Sequence, residues 1–439
     1  MAKVYPFRGV RYNTQKAGKL EDLITPPYDV ISKDAQESYY ERNPVNIIRL
    51  ELGKTYPSDT DKDNQYTRAA EYYKQWLQQG ILFHEKSPSL YFYEQEFSAY
   101  GQRFSRKGIL CTLQLEDYRN NVVIPHEETL PKAKADRLKL MRHCMANFSS
   151  IFAIYTDKTN TAQQLFDQVQ GQKPSMDLTD ENGISHRVWV VQDEGIIEKW
   201  QELMSDKQVY IADGHHRYET ALEFQREMAG KGFEKCNRVM VTLVNTFDPG
   251  LVVFPTYRMV HNVPGFDAQN LKEKLRSIYK TVDLPLHDLT STAGIEKSAQ
   301  AIVDALAEAD RDYHNFCMYT GGNQALMFSI RRTGEKYKPE KSAEWNSLDV
   351  TILQEKILNQ QLGIGDKERA EGNMLAYTRD AGEALAKVIS GEFQASFLLN
   401  PTQTSEVIAV AGRGEKMPQK STFYYPKLVT GLVINPLDK

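Results

Sequence analysis

The segment "QVYIADGHHRYETALEFQREMAG", residues 208–230, sets an aspartate, a glycine, two histidines and an arginine in a row. Asp213, Gly214, His215, His216 and Arg217 are residue types that bind anions, hold metals and move protons. Their flanks say where they sit. Val209 and Ile211 alternate with polar or amphipathic neighbours, as in a half-buried strand. Tyr218, Ala221, Leu222, Gln225 and Met228 recur at three-and-four spacing, as on a helix with one mostly apolar face, and Gly230 closes that helix. The five residues therefore occupy a strand-to-helix turn and the first helical turn. Unpaired backbone N–H groups and the positive end of the helix dipole attract an anion there. Gly214 lets the backbone turn tightly, and His215, His216 and Arg217 add donors, with Arg able to grip a phosphate through two parallel bonds. Asp213 alone repels phosphate. It fits if it holds a Mg²⁺ that bridges phosphate oxygens, or if it orients a histidine. The plain structural alternative makes Asp213 an N-cap, leaves the histidines on the surface and pairs Arg217 with Glu219 or Glu223. A metal site through His215 and Glu219 lacks a second His or Cys nearby in sequence.

A second cluster lies in "IPHEETLPKAKADRLKLMRHCMANFS". His126, Glu127 and Glu128 end a strand, and Lys132, Lys134 and Arg137 follow on a loop and the start of a helix. Acid and base types beside a basic loop suit proton transfer next to a polyanion. Glu127 is the expected general base and His126 its competitor. A histidine base would make the rate titrate at roughly pH 6–7. Lys134 and Arg137 would balance phosphate charge. The alternative is a solvated charged loop capped by Asp136. Each cluster holds half of one chemistry, acid/base types in one and anion donors in the other. The expectation is that His126, Glu127, Asp213, His216 and Arg217 line one pocket. At the C-terminus, "KMPQKSTFYYPKLVTGLVI" offers Lys416, Lys420 and Lys427 with Ser421 and Thr422 as a phosphate coat, or else an ordinary lysine-decorated edge strand. In "TPPYDVIS" two prolines fix the backbone before Asp29, with Arg8 and Arg11 upstream. There is no G-x-x-x-x-G-K-[ST], no G-x-G-x-x-G after a strand, no G-x-S-x-G and no H-E-x-x-H. P-loop, Rossmann, serine-hydrolase and zincin chemistries thus lose their main support.

The elements that must position these groups read as mixed. The chain has 439 residues, enough for two or three domains. Hydrophobic residues at 41% and charged residues at 26% describe a globular protein. A net charge of −4 and a pI near 6.2 argue against a protein built mainly to hold nucleic acid. No apolar run approaches the roughly 18 residues needed to span a bilayer, and the N-terminal segment lacks the apolar region of a signal peptide. Four scattered cysteines without C-x-x-C fit reduced thiols, so the cytoplasm is the expected location. Residues 1–56 read as short strands and turns, "TRAAEYYKQWLQQG" as a helix stopped by Gly80, and "SLYFYEQEF" with "RKGILCTLQLEDY" as a hairpin. The second cluster reads strand, loop, helix, strand, with Leu138, Met141 and Met145 on the helix's apolar face. From about residue 265 the texture changes to amphipathic helices near 266–280 and 293–309, alternating with strands. The expected class is α+β, with mixed sheets and helices. The expected division is a phosphate-binding domain over 1–265, with an insertion near 90–205, and a C-terminal α+β domain over 266–439.

The strings "ITPPYDVIS", "NPVNIIRL", "HEETLPKAKADRLKLM", "IADGHHRYETAL", "FPTYRMV" and "MPQKSTFYYPK" occur in this order in a widespread microbial family known mainly as a domain of unknown function, and the sequence resembles it nearly end to end. The turn Gly214-His215-His216-Arg217 is also similar to the G-x-x-R phosphate-binding turn of the ParB/sulfiredoxin-like superfamily. That superfamily includes chromosome-partitioning nucleotide switches, sulfiredoxins and kinases of free L-serine. His215 stands where sulfiredoxin needs a cysteine, and no basic helix-turn-helix of ParB type follows. The resemblance to the kinase branch implies phosphoryl transfer involving L-serine, with ADP, ATP or pyrophosphate as donor and Mg²⁺ as helper. It makes the turn a cradle for the transferred phosphate and implies that a carboxylate accepts the serine hydroxyl proton. It leaves open a nucleotide-binding regulator with little turnover, and a metal-dependent phosphatase acting on phosphoserine.

Overall fold

The computed structural model describes residues 1–129 and 131–438. They form two compact units, Met1–Val252 with Tyr424–Lys439, and Val253–Phe423. The class is α+β: one unit carries a mixed sheet, the other an antiparallel one, each with helices.

The first unit is built on a nine-stranded sheet. Its strands are β1 (Val4–Tyr5), β2 (Leu90–Ala99), β3 (Gln102–Gln114), β4 (Val123–Ile124), β5 (Ile151–Tyr155), β6 (Met176–Thr179), β7 (Ser185–Val191), β8 (Val209–Asp213) and β9 (Arg238–Asn245). They run in the order β4-β8-β5-β9-β3-β2-β7-β6, with β1 paired to β3. β2 and β3 are the expected hairpin. Ala99 pairs with Gln102 across a two-residue turn, in which Tyr100 and Gly101 both have positive φ, 51° and 68°. That backbone matches the twist of the strands it joins. Two pairings are parallel, β8 with β4 and β9 with β5.

Five helices of this unit matter below. α1 (Lys33–Arg42) departs from the expectation of short strands and turns in residues 1–56. The Ser32 hydroxyl accepts from the Ala35 N–H and Asp34 lies in the first turn, so a capped start outweighs a weak apolar pattern. α2 (Ile48–Glu51) is a single turn. α3 (Gln65–Gln78) starts at a reciprocal Asn64–Thr67 cap, buries Ala69, Tyr73 and Trp76, and ends just before Gly80. α4 (Pro131–Cys144) buries Leu138 and Met141, whereas Met145 lies past its end at φ 48°. α5 (His215–Met228) buries Tyr218, Ala221, Leu222 and Phe224. These side chains join Val209, Ile211, Val241 and Trp200 in one core.

The second unit has a six-stranded sheet in which every pairing is antiparallel. Helices Ala268–Ile278 and Thr292–Glu308 match the two amphipathic segments of the sequence. Leu271, Ile302, Phe316 and Phe397 share its core. Cys111, Cys144, Cys236 and Cys317 are buried free thiols. Among the described residues no helix is long and apolar enough to cross a membrane.

Candidate functional site

The parallel pairing of β8 with β4 sets the geometry. Val209 lies opposite Val123 and Tyr210 opposite Ile124, so both strands end on the same side of the sheet. One releases Pro125-His126-Glu127 there and the other Asp213-Gly214-His215. In parallel α/β sheets ligands bind at the carboxyl ends of the strands, and this local parallel pair offers the same arrangement. On its other side β8 pairs with β5, and the register shifts between Ile211 and Asp213. A bulge of this kind re-aims a side chain, here Asp213, at the point where the strand stops.

Gly214 makes the turn. Its φ of 95° is left-handed, and a Cβ there would come within 3.0 Å of Nε and Nη2 of Arg217. The Arg217 guanidinium thus folds back over the glycine. Its Nη2 donates to Asp213 Oδ2 at 2.7 Å and its Nη1 to the Ser150 carbonyl at 2.6 Å. Arg217 therefore pairs with Asp213, and the N-cap position belongs to Gly214. The second oxygen of Asp213 accepts from Lys427 Nζ. Burial alone would raise the Asp213 carboxyl, but Lys427, Arg217 and His215 overcome it and hold the group down at about 2. Asp213 is a carboxylate clamped between two cations.

Lys427 is itself positioned. Gln95 Nε2 donates to the Lys427 carbonyl at 3.1 Å, and the buried Arg106 donates to the carbonyls of Tyr425 (3.2 Å) and Pro426 (2.5 Å). Gln95 and Arg106 face each other across the hairpin, so two inward polar residues of β2 and β3 fix the segment that carries the lysine.

The two clusters meet at the histidines. The His126 backbone N–H donates to Nε2 of His215 at 3.1 Å, and the rings pack edge to face with centroids 4.6 Å apart. An N–H aimed at Nε2 needs its lone pair, so neutral His215 carries its proton on Nδ1. That nitrogen lies 3.8 Å from Glu127 Oε2. Both rings are buried, while Glu127 is partly open to solvent. Burial pushes His126 down to about 4. A rate limited by His126 would therefore titrate near pH 4, not in the neutral range expected from the sequence. Burial also lowers His216, with Lys134 and Arg217 adding to the effect and Asp29 and Glu219 opposing it.

Around this centre lie the remaining groups. Lys134 Nζ is 2.8 Å from Glu219 Oε2, which also accepts from the Thr129 hydroxyl at 2.5 Å. Arg137 is buried. It donates to Asp136 Oδ2 at 2.7 Å and to the Glu51 carbonyl at 2.8 Å, and lies 4.1 Å over the Tyr28 ring. Asp136 lies within α4 and not at its cap. Glu51 accepts from Ser149 at 2.9 Å, and its carboxyl is raised by burial in spite of Arg137. A cavity of about 40 Å³, lined by Glu51, Arg137, Ser149 and Arg217 among others, is too small for a nucleotide.

Of the residues singled out in the sequence, His126, Glu127, Asp213, Gly214, His215, His216, Arg217, Lys134 and Arg137 all lie at this end of the sheet. Lys420, Ser421 and Thr422 belong to the other unit. Within it the Ser421 hydroxyl donates to the Pro418 carbonyl, and the Lys420 carbonyl accepts from Arg258 at 3.4 Å. Glu51 and Ser150 carried no local sequence signal, since each reaches the site only through long-range folding, whereas Tyr28 lies in the quoted "TPPYDVIS" turn. Among the described residues no group of three or more His, Cys, Asp or Glu side chains could hold a metal ion.

No curated protein matches the chain. Among solved structures it is similar to a free serine kinase in complex with AMP, with TM-score 0.32 and 14% identity over 74% of this chain and 92% of that one. It is also similar to SbnI with C-terminal truncation from Staphylococcus aureus, with TM-score 0.33 and 10% identity over 75% and 87% of the two chains. A conserved hypothetical protein from Pyrococcus furiosus gives TM-score 0.31 and 14% identity over 74% and 95%. Residues 4–351 match the model of a family described as a protein of unknown function, DUF1015. The chain belongs to the DUF1015 family.

Proposed function

We propose that this protein is a phosphotransferase that moves a phosphoryl group between a nucleotide or pyrophosphate donor and the hydroxyl of free L-serine. The observation that carries the reading is the parallel β4–β8 pair, which sets Glu127 beside the N-terminus of the 14-residue helix α5. The helix end supplies backbone donors and positive potential for phosphate oxygens. Arg217 in the same turn, and Lys427 reaching Asp213 from the C-terminal segment, add positive charge there, and phosphoryl transfer depends mostly on such positioning and charge neutralisation. L-serine as the acceptor rests on the likeness of the Gly214–Arg217 turn to the phosphate-binding turn of free-serine kinases.

In this reading Glu127 takes the hydroxyl proton as the serine oxygen bonds to phosphorus and the bond to the donor's bridging oxygen breaks. The donor leaves with that electron pair. His215 presents its Nδ1 proton side to Glu127 and steadies the carboxylate. His216, held neutral by burial, is a hydrogen-bond partner for phosphate or leaving group. Asp213 does not fit an Mg²⁺ ligand, because each oxygen already faces a cation. Its role is to hold Arg217 and Lys427 in place. The test is a panel of free amino acids offered ATP, ADP or pyrophosphate and scored for phosphate transfer. Transfer to L-serine that falls in Glu127→Gln supports the reading, and no transfer to any acceptor rejects it.

A further inference from the structure

A second site lies in the same unit, on the other side of helix α2. Arg49 and Glu51 belong to that helix, but Glu51 meets Arg137 and Ser149 at the first site, whereas Arg49 lines a separate cavity of about 320 Å³. The cavity is bounded by α1, α2, the 53–56 loop and α3. Its charges are unevenly satisfied. Lys54 pairs with Glu37, and Arg68 pairs with Asp59 and Asp63 at 2.8 Å each. Arg49 has no such partner: among the described residues no carboxylate lies within 4.0 Å of it. Among the described residues its Nη2 donates only to the Tyr40 carbonyl at 2.8 Å, and its guanidinium lies 4.2 Å over the Tyr40 ring. Its Nε is buried without a hydrogen-bond acceptor. Glu41, which lines the same cavity, likewise has no Lys, Arg or His within 4.0 Å among the described residues.

The two leftover charges are of opposite sign, line one cavity and do not pair with each other. An anionic ligand would leave Glu41 facing it, and a cationic ligand would leave Arg49. A ligand that carries both charges a few ångströms apart satisfies both. We propose that this cavity binds a small zwitterion of the α-amino acid class, with its carboxylate on Arg49 and its ammonium on Glu41. The inference goes beyond the phosphotransferase reading and stands on a different cavity.

The experiment is calorimetric titration of the full chain with each free L-amino acid, and with the N-acetyl and methyl-ester forms of the tightest binder. The expected result is saturable binding of at least one amino acid, about tenfold or more weaker once either charge is blocked. Arg49→Gln and Glu41→Gln should weaken it by a similar factor, and Glu127→Gln at the first site should not. Glu41 is exposed, so Glu41→Gln keeps the test valid should Arg49→Gln disturb packing. The proposal is overturned if no amino acid binds, or if the N-acetyl form binds equally well. It is also overturned if binding survives Arg49→Gln and Glu41→Gln but falls in Glu127→Gln. That last outcome would put the amino acid at the phosphate turn and leave the phosphotransferase reading standing.

Discussion

The His126 N–H donates to Nε2 of His215 at 3.1 Å across 89 residues of sequence. This bond decides which nitrogen of His215 faces Glu127, and it joins the 125–127 loop to the N-terminus of α5. The proton of neutral His215 points at a carboxylate 3.8 Å away. Glu127→Gln keeps the shape and removes the proposed base. Turnover should fall by about 10²–10⁴-fold, with donor affinity changed only a few-fold. Full turnover in this variant, with loss in His126→Ala, would move the base to His126.

His126 makes stability depend on pH. Its unfolded value is about 6.5 and its folded value about 4. The unfolded chain therefore binds the proton first as pH falls. This contribution is fully present above about 6.5 and is lost between about 6.5 and 4, by at most about 1.4 kcal/mol per pH unit. His126→Gln should show a shallower fall in urea stability from pH 7 to pH 5 than the parent protein. Parallel pH dependence in the two would contradict the assignment.

Asp213 acts in the same direction, but at lower pH. Its folded value is depressed, so the stability it contributes is present above about 4 and is lost as pH falls toward about 2. Arg217→Met removes one of its two cations and leaves the half-buried carboxylate with Lys427 alone, which should lower stability. The acid limb of its stability curve should also move to higher pH. An acid limb unchanged from the parent would show that Arg217 does not hold the carboxylate.

Gly214→Ala tests the turn itself. The left-handed backbone costs about 1–3 kcal/mol for a non-glycine residue, and the new methyl meets the Arg217 guanidinium at 3.0 Å. Chemical denaturation should show that loss, with weaker pyrophosphate binding because Arg217 and the helix end are displaced together. Parent-like stability and binding would argue against the tight turn.

What the sequence discloses of this site follows from the range of each interaction. The strand before Asp213 and the helix after it are local patterns, carried by Val209 and Ile211 and by Tyr218, Ala221 and Leu222. The hairpin is legible because Tyr100-Gly101 is a short turn between two apolar runs. The parallel β4–β8 pairing is not legible, since only two residues of β4 take part and nothing in "VVIPHEE" names its partner. The burial of Glu51 and Arg137 is hidden for the same reason, as a charged residue reads as surface until its distant partner is known. Gln95 and Arg106 left a trace, polar residues at inward positions of a hairpin, but their target at 425–427 lies more than 300 positions along the chain. Lys427 stands out only as a lysine after "YYP", and its partner Asp213 is 214 residues away.

The central claim is that one end of the sheet transfers phosphate. Phosphorus NMR of the protein with L-serine and, in turn, ATP, ADP and pyrophosphate tests it most directly. The account predicts a phosphoserine resonance with at least one donor, strongly reduced in both Glu127→Gln and Arg217→Ala. No phosphoserine from any of the three donors, or equal amounts from both variants and the parent, would contradict it.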